Sequence, residues 1–278
     1  MHDGLAGDES KTTMRIGIVG VGMVGETLKY GFERIGHDVY VHDIKWPTRL
    51  ESLLQTELIF VCVPTPTNIR DECDTSVVEG VVHELDKLHY KGLIVIKSTV
   101  TPGTTDRLIG EHPALRLAFC PEFLRERSRY SDFVENHDLC IIGADDGDDI
   151  MLIEKAHGSL PKQFVFLPPL EAELAKYFVN VYNAMRITFA NQFFNVCQDA
   201  GADYTAIKNA VVKRASIGDF YLECNKHFRS FGGNCLPKDT MAFAKFAQTV
   251  GTNSKLFDTI IELNERAGVG DAKKIKAA

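Results

Sequence analysis

The chain predicts an α/β protein: a Rossmann-type, doubly wound, mostly parallel sheet, followed by an all-α domain built on one long central helix. Three observations carry that expectation. From Met14 to Pro168, short apolar runs alternate with amphipathic segments, the pattern of strands covered by helices on both faces. After Pro168-Pro169 the pattern turns to helices alone. A glycine-rich stretch, Gly20-Val-Gly22-Met-Val-Gly25, follows the first apolar run directly and opens the first helical segment.

Taken in order, Arg15–Val19, Val39–His42, Leu58–Val63, Leu93–Lys97, Leu117–Phe119, Cys140–Ile142 and Phe164–Leu167 read as strands, being short, apolar and rich in β-branched residues. Val24–Ile35 and Ser76–Leu88 carry apolar residues at helical spacing between them. Leu170 to Asp199 holds neither proline nor glycine and stops just before Gly201, so it reads as one helix about 45 Å long at 1.5 Å per residue. Tyr204–Arg214, Lys238–Val250 and Lys255–Arg266 read as further helices. The expected organisation is a solvated tail over residues 1–13, a dinucleotide-binding domain over 14–168 and a helical domain over 169–278.

Composition narrows the function. A net charge of −7 and a pI near 5.7 leave no basic excess to neutralise phosphates, so nucleic acid is not an expected partner. No run approaches the roughly 18 apolar residues of a membrane span, and the N-terminus lacks a targeting pattern, so no membrane association and a cytoplasmic location are expected. Seven cysteines at irregular spacing, with no CxxC or CxxH, predict reduced thiols and no metal.

The glycine stretch has a physical reading. Gly20 suits the tight turn, Gly22 lets a pyrophosphate approach backbone N–H groups, and Gly25 lets helix and strand pack closely. Asp43, 18 residues beyond Gly25 at the end of the next strand, can accept hydrogen bonds from the adenosine ribose and repel a 2′-phosphate. NAD is the expected cofactor.

Other stretches stand apart from the periodic pattern. They are Val63-Pro-Thr-Pro-Thr67, Lys97-Ser-Thr-Val-Thr-Pro-Gly-Thr-Thr105, Phe119-Cys-Pro-Glu-Phe-Leu-Arg-Glu126, Glu173-Leu-Ala-Lys-Tyr-Phe-Val-Asn180 and Phe231-Gly-Gly-Asn-Cys-Leu-Pro-Lys-Asp239. The last places a cysteine before a proline suited to a first helical turn, where a thiol is exposed and activated. Lys176 and Asn180 are four apart on the long helix and share a face, so both can reach one oxygen. Judged alone, each has a plainer reading: a cysteine is most often a small buried hydrophobe, and a Lys/Asn pair a solvated helix face.

With the glycine stretch, and in this order along the chain, these motifs resemble the UDP-glucose/GDP-mannose dehydrogenase family. The resemblance implies NAD-dependent, four-electron oxidation of a nucleotide sugar's C6 alcohol to a carboxylate through a cysteine thioester. UDP-glucose is the first expectation and GDP-mannose the second. It implies Cys235 as nucleophile, Lys176 and Asn180 as oxyanion-stabilising groups, Asp239 and Thr99 as holders of a water, and Glu122 as the acid/base group of hydrolysis. It adds Met23, Val24, Thr65, Thr99 and Glu126 to the cofactor residues. Substrate contacts are expected from Glu122, Phe123, Leu124, Arg125, Lys176, Asn180, Phe231 and Gly232. The family's long helix builds a dimer, so a homodimer is expected, with Phe178, Val181, Tyr182, Met185, Phe189 and Phe193 as its apolar face.

Members of the family usually continue into a further domain that closes over the nucleotide, and that C-terminal domain is expected to be absent here. Arg127 and Ser230 stand where the family commonly has glycine, and Ser216 where it has an arginine reaching a neighbouring subunit. Arg127, Arg214 and Arg229 are the substitute anchors to consider. The alternative expectations are an NAD-binding relative without full activity, or a two-electron hydroxyacid dehydrogenase.

Overall fold

A computed structural model describes residues 13–275 apart from 70 and 234, with side chains described through residue 267. The expected N-terminal tail, all but Thr13, lies outside the described residues.

Seven strands, β1 (Arg15–Val19), β2 (Asp38–His42), β3 (Leu58–Val61), β4 (Leu93–Ile96), β5 (Arg116–Phe119), β6 (Cys140–Gly143) and β7 (Phe164–Leu167), form one sheet in the order β2-β1-β3-β4-β5-β6-β7. Every neighbouring pair is parallel except β5 and β6, which meet antiparallel at Phe119 and Gly143. The order reverses at β1, so β2 and β3 flank it, and ligands of such sheets bind at the carboxyl ends beside that reversal. β3 and β4 are buried along their whole length, as their uninterrupted apolar sequences require of strands covered on both faces.

Helices α1 (Met23–Arg34), α2 (Ser76–Lys87), α3 (Thr104–Glu111), α4 (Arg129–Val134) and α5 (Gly147–His157) cover the sheet's unit. Leu28 and Phe32 of α1, Phe133 of α4 and Ile153 and Ala156 of α5 join Ile16, Ile18, Phe60 and Val95 of the strands in one buried cluster. The sequence pattern had not separated α3, α4 or α5 from loops.

Helices α6 (Pro169–Asp199), α7 (Tyr204–Val211), α8 (Leu236–Thr249) and α9 (Lys255–Ile275) follow. The 31 residues of α6 end where Gly201 takes a left-handed φ of +71°. Asp203 then caps α7 by accepting from Thr205 N and Ala206 N. Along α6 lie three successive apolar clusters, around Tyr177, Ala184 and Phe194.

By compactness the chain forms two units. The first comprises Met1–Thr65 and Thr75–Glu173, the second Pro66–Asp74 and Leu174–Ala278. The division falls inside α6 rather than at the Pro168-Pro169 step. The Pro66–Asp74 segment groups with the helices because Cys73 is buried beside Tyr177 and Ala242.

Candidate active site

In the first unit, the chain leaves β1 at Val19 and turns at Gly20, whose φ is +88° and whose N–H donates to the His42 carbonyl at 2.8 Å. A Cβ on Gly25 would overlap the Gly20 carbonyl oxygen, so α1 can approach the turn only with glycine there. A Cβ on Gly22 would meet nothing within 4 Å. Gly22 is therefore not a folding requirement; the space beside it is open. Met23 and Val24 begin α1, which has no side-chain cap, so its first-turn N–H groups face no protein acceptor at the cap position.

Asp43, just past β2, accepts from Lys45 N at 2.9 Å and from Val21 N at 2.8 Å. These backbone bonds, Lys45's first, hold its carboxyl below the usual range and so ionised. A cavity of about 550 Å³, lined by Gly20, Gly22, Asp43, Trp46, Val63 and Val81 among others, opens beside this carboxylate. Open backbone donors, a carboxylate and apolar walls fit the adenosine and pyrophosphate of a dinucleotide.

Farther along the same strand ends, Thr65 is buried after β3 and Thr99 follows β4. Ser98 Oγ donates to the carbonyls of Val61 and Val63, at 3.2 and 2.7 Å, and so ties the two strand exits together. Lys97, the last residue of its apolar run, is buried with its ammonium 3.2 Å from Glu122. Burial alone would lower its pKa, but the facing Cys120 and Glu122 outweigh that and raise it, so the ammonium stays charged. The pattern of the sequence had assigned Lys97 no role, although a lysine closing an apolar strand is itself a sign of a partnered cation. Phe123 N donates to Glu122 at 3.0 Å, and Leu124 packs on the sheet's core. Arg125 grips Asp132 with Nε at 3.0 Å and Nη2 at 2.6 Å, which fixes the loop, and Glu126 begins a 3-10 turn on the surface.

The second unit holds the cysteine loop. All seven cysteines are among the described residues, and Cys235 alone is exposed. It occupies the N-cap position of α8, with Pro237 in the first turn and no side-chain cap. Asp239, also in that turn, is 1% exposed. It accepts from Asn180 Nδ2 at 2.6 Å and has the Lys238 ammonium 2.7 Å from its other oxygen. Asn180 is therefore joined to the cysteine's helix, and Lys176, partly buried one turn earlier on α6, shares its face.

Side chains outside the sequence motifs hold this loop in place. Asn264 of α9 accepts from Phe231 N at 2.6 Å and donates to Phe231 O at 2.9 Å, while the Phe231 ring is buried against Ala184 and Ile260. Asn191 accepts from Arg229 Nε at 2.7 Å, and Arg229 Nη2 reaches Asn195 at 2.7 Å with its guanidinium 5.0 Å over Phe194. Arg229 is thus a clasp on α6. Gly232 is exposed, and Ser230 adopts a φ of +61°, the left-handed conformation that glycine takes without cost.

Each unit thus carries part of the predicted site: the glycines, Asp43, Thr65, Thr99 and Glu122 to Glu126 in the first, and Lys176, Asn180, Phe231, Gly232, Cys235 and Asp239 in the second. Fold and loops together define a protein that binds a dinucleotide on a doubly wound sheet and bears an exposed helix-start thiol on a helical unit. Residues 46–160 match the NAD-binding domain, and residues 170–266 the central domain, of the UDP-glucose/GDP-mannose dehydrogenase family. The chain belongs to that family, and its cofactor is NAD. It is 31% identical over 229 residues to the UDP-glucose 6-dehydrogenase TuaD of Bacillus subtilis, covering 79% of this chain and 49% of that one. It is 26% identical to the GDP-mannose 6-dehydrogenase of Pseudomonas putida, over 91% of this chain and 68% of that one. The solved UDP-glucose dehydrogenase of Pyrobaculum islandicum superposes with a TM-score of 0.85 at 27% identity, over 93% of this chain and 69% of that one. The chain spans about half the length of several curated relatives it matches.

Proposed function

We propose that this protein oxidises the C6 alcohol of a nucleotide sugar, UDP-glucose before GDP-mannose, to the carboxylate by way of a thioester on Cys235. The observation that carries the reading is the exposed Cys235 at an uncapped helix start, with the Asn180–Asp239 pair in the same unit. The relatives' names favour a UDP sugar over a GDP sugar.

Bound NAD⁺ supplies the hydride acceptor, and two are consumed per sugar. The first oxidation removes a hydride and a proton from the alcohol and gives the aldehyde. The Cys235 thiolate then adds to the aldehyde carbon, and the new oxyanion is within the chemistry of Lys176 and Asn180 to stabilise. Loss of the second hydride converts this adduct to a thioester. Water, held by Asp239 and Thr99 and deprotonated through Glu122, attacks the thioester, releasing the carboxylate and the thiol. Cys235, exposed at the start of α8, presents its sulfur where it can add to the aldehyde and later leave.

The test is to incubate the full chain with NAD⁺ and a panel of nucleotide sugars and count NADH per sugar consumed. Two per UDP-glucose is expected; one per substrate would instead indicate a two-electron dehydrogenase.

The partner we propose is a second copy of the chain. Phe178, Tyr182, Phe189, Phe193 and Val196 form an exposed stripe on α6, with Phe178 72% exposed. Val181 is buried and Met185 packs beside Phe231, so neither belongs to that stripe. Light scattering should give twice the chain mass, reduced to one by Phe189→Asp.

A further inference from the structure

β5 and β6 are the one antiparallel pair of the sheet. They meet at Phe119 and Gly143, which brings Cys120, the residue after β5, close to Cys140 at the start of β6. Their sulfurs are 3.7 Å apart and fully enclosed in the core. His157, the last residue of α5, reaches the same point: its ring nitrogen and the two sulfurs all lie within 4.8 Å of one another.

The imidazole keeps one nitrogen without a hydrogen bond. Its Nδ1 lies 2.9 Å from the Ile153 carbonyl, which can only accept, so Nδ1 carries the proton and Nε2 the bare lone pair. Nε2 is buried and has no hydrogen-bond partner among the described residues. A buried, unpartnered acceptor is destabilising; the rings of Phe32, Phe60, Phe133 and Phe164 around it offer no donor, and the His137 ring, at 6.1 Å between centroids, makes no hydrogen bond to it among the described residues. A second-sphere carbonyl on one nitrogen with the other left free is the arrangement of metal-bound histidine.

We propose that Cys120, Cys140 and His157 bind one zinc(II) ion. Two Zn–S bonds of about 2.3 Å at a tetrahedral angle put the sulfurs about 3.8 Å apart, close to the spacing found. Binding displaces one proton from each thiol, forms two Zn–S bonds and one Zn–N bond, and changes no oxidation state. Charge closes as well: two thiolates neutralise the ion, while Lys97, 3.4 Å from Cys120 Sγ, is already balanced by Glu122. Three protein donors leave one position to a small exogenous ligand. The ion's work is structural, pinning the start of the Cys120–Glu126 loop to β6 and to the end of α5.

To test this, the full chain carrying Cys235→Ala, which removes the exposed thiol, is loaded with zinc, dialysed against a weak chelator and assayed for metal and thermal midpoint. One zinc per chain and a raised midpoint are expected, with affinity about 10-fold or more weaker in Cys140→Ser and in His157→Asn. Cobalt(II) added to the otherwise unaltered chain should give a thiolate-to-metal charge-transfer band with intense tetrahedral d–d absorption, a readout that holds even where a variant fails to fold. No retained zinc, zinc retained equally by both variants, or a weak octahedral cobalt spectrum would each overturn the assignment.

Discussion

The glycine loop and the cysteine loop are held by different means. The first is fixed by backbone sterics: a left-handed Gly20, a Gly25 that no side chain can replace, and a carboxylate 22 residues away that accepts from Val21 N. The second is fixed by side chains distant in sequence, Asn264 on Phe231 and Asn191 on Arg229, at separations of 33 and 38 residues. A loop of the first kind is written in local residue types. A loop of the second kind is written in amides that, in sequence, look like any solvated helix face.

The largest effect expected on either loop is at the cysteine. Cys235→Ala should lower net formation of the carboxylate on the order of 10³-fold or more, because the covalent route has no other exposed thiol. NAD affinity by calorimetry should be unchanged, and full turnover by the variant would break the contrast between a cofactor loop and a chemistry loop. Next comes Gly22→Ala, which meets nothing in the fold and so should leave the thermal midpoint as it is while weakening NAD binding about 10-fold or more. Gly25→Ala should lower both, since its Cβ overlaps backbone. Equal behaviour of the two would contradict the reading of the loop.

This contrast explains what was legible beforehand. The seven strands were readable because each is a short apolar run, and the long helix because Pro168-Pro169 and Gly201 bound it. α3 was not, since its N-terminus has no side-chain cap of its own: Glu173, some 70 residues on, accepts from Gly103 N, Thr105 N and Thr105 Oγ1. α5 begins in Asp-Asp-Gly-Asp-Asp, which reads as a loop, although Asp146 caps it. α9 runs past Gly268 and Gly270, where local propensity had ended it near Arg266. Among candidate site residues, Cys235, Asn180 and Asp43 could be found from motif and spacing. Asn191 and Asn264 could not, because their partners are set by tertiary contact, and Lys97 showed only as a cation closing an apolar run, its partner Glu122 being set the same way.

Asn264→Ala probes the clasp itself. Two hydrogen bonds to Phe231 are lost, one of them leaving a buried N–H without an acceptor, so stability should fall by about 1–3 kcal/mol in urea unfolding. A change below a few tenths would mean that Phe231 packing alone holds the loop.

The Glu173 cap gives the first unit a comparable long-range dependence, and pH reads it. Burial raises the Glu173 carboxyl from its ordinary 4.5 to about 7. The folded state then binds the proton more tightly than the unfolded, so this contribution is complete below pH 4.5 and is lost as pH rises toward 7, at a slope on the order of 1 kcal/mol per pH unit. Glu173→Gln, which carries no titrating proton, should flatten that slope between pH 4.5 and 7; identical slopes would mean that burial does not raise the Glu173 carboxyl. The smallest effect is Ser230→Gly, expected to stabilise by up to about 1 kcal/mol by relieving a left-handed serine at φ +61°.

The central claim is that the sugar is carried on Cys235 between the two oxidations. Slowing thioester hydrolysis with Glu122→Gln, then acid-quenching the full chain with NAD⁺ and UDP-glucose, should leave a uronyl adduct that intact-mass and peptide mapping assign to Cys235. Two NADH formed per sugar with Cys235 unmodified throughout, or an adduct on another residue, would contradict it.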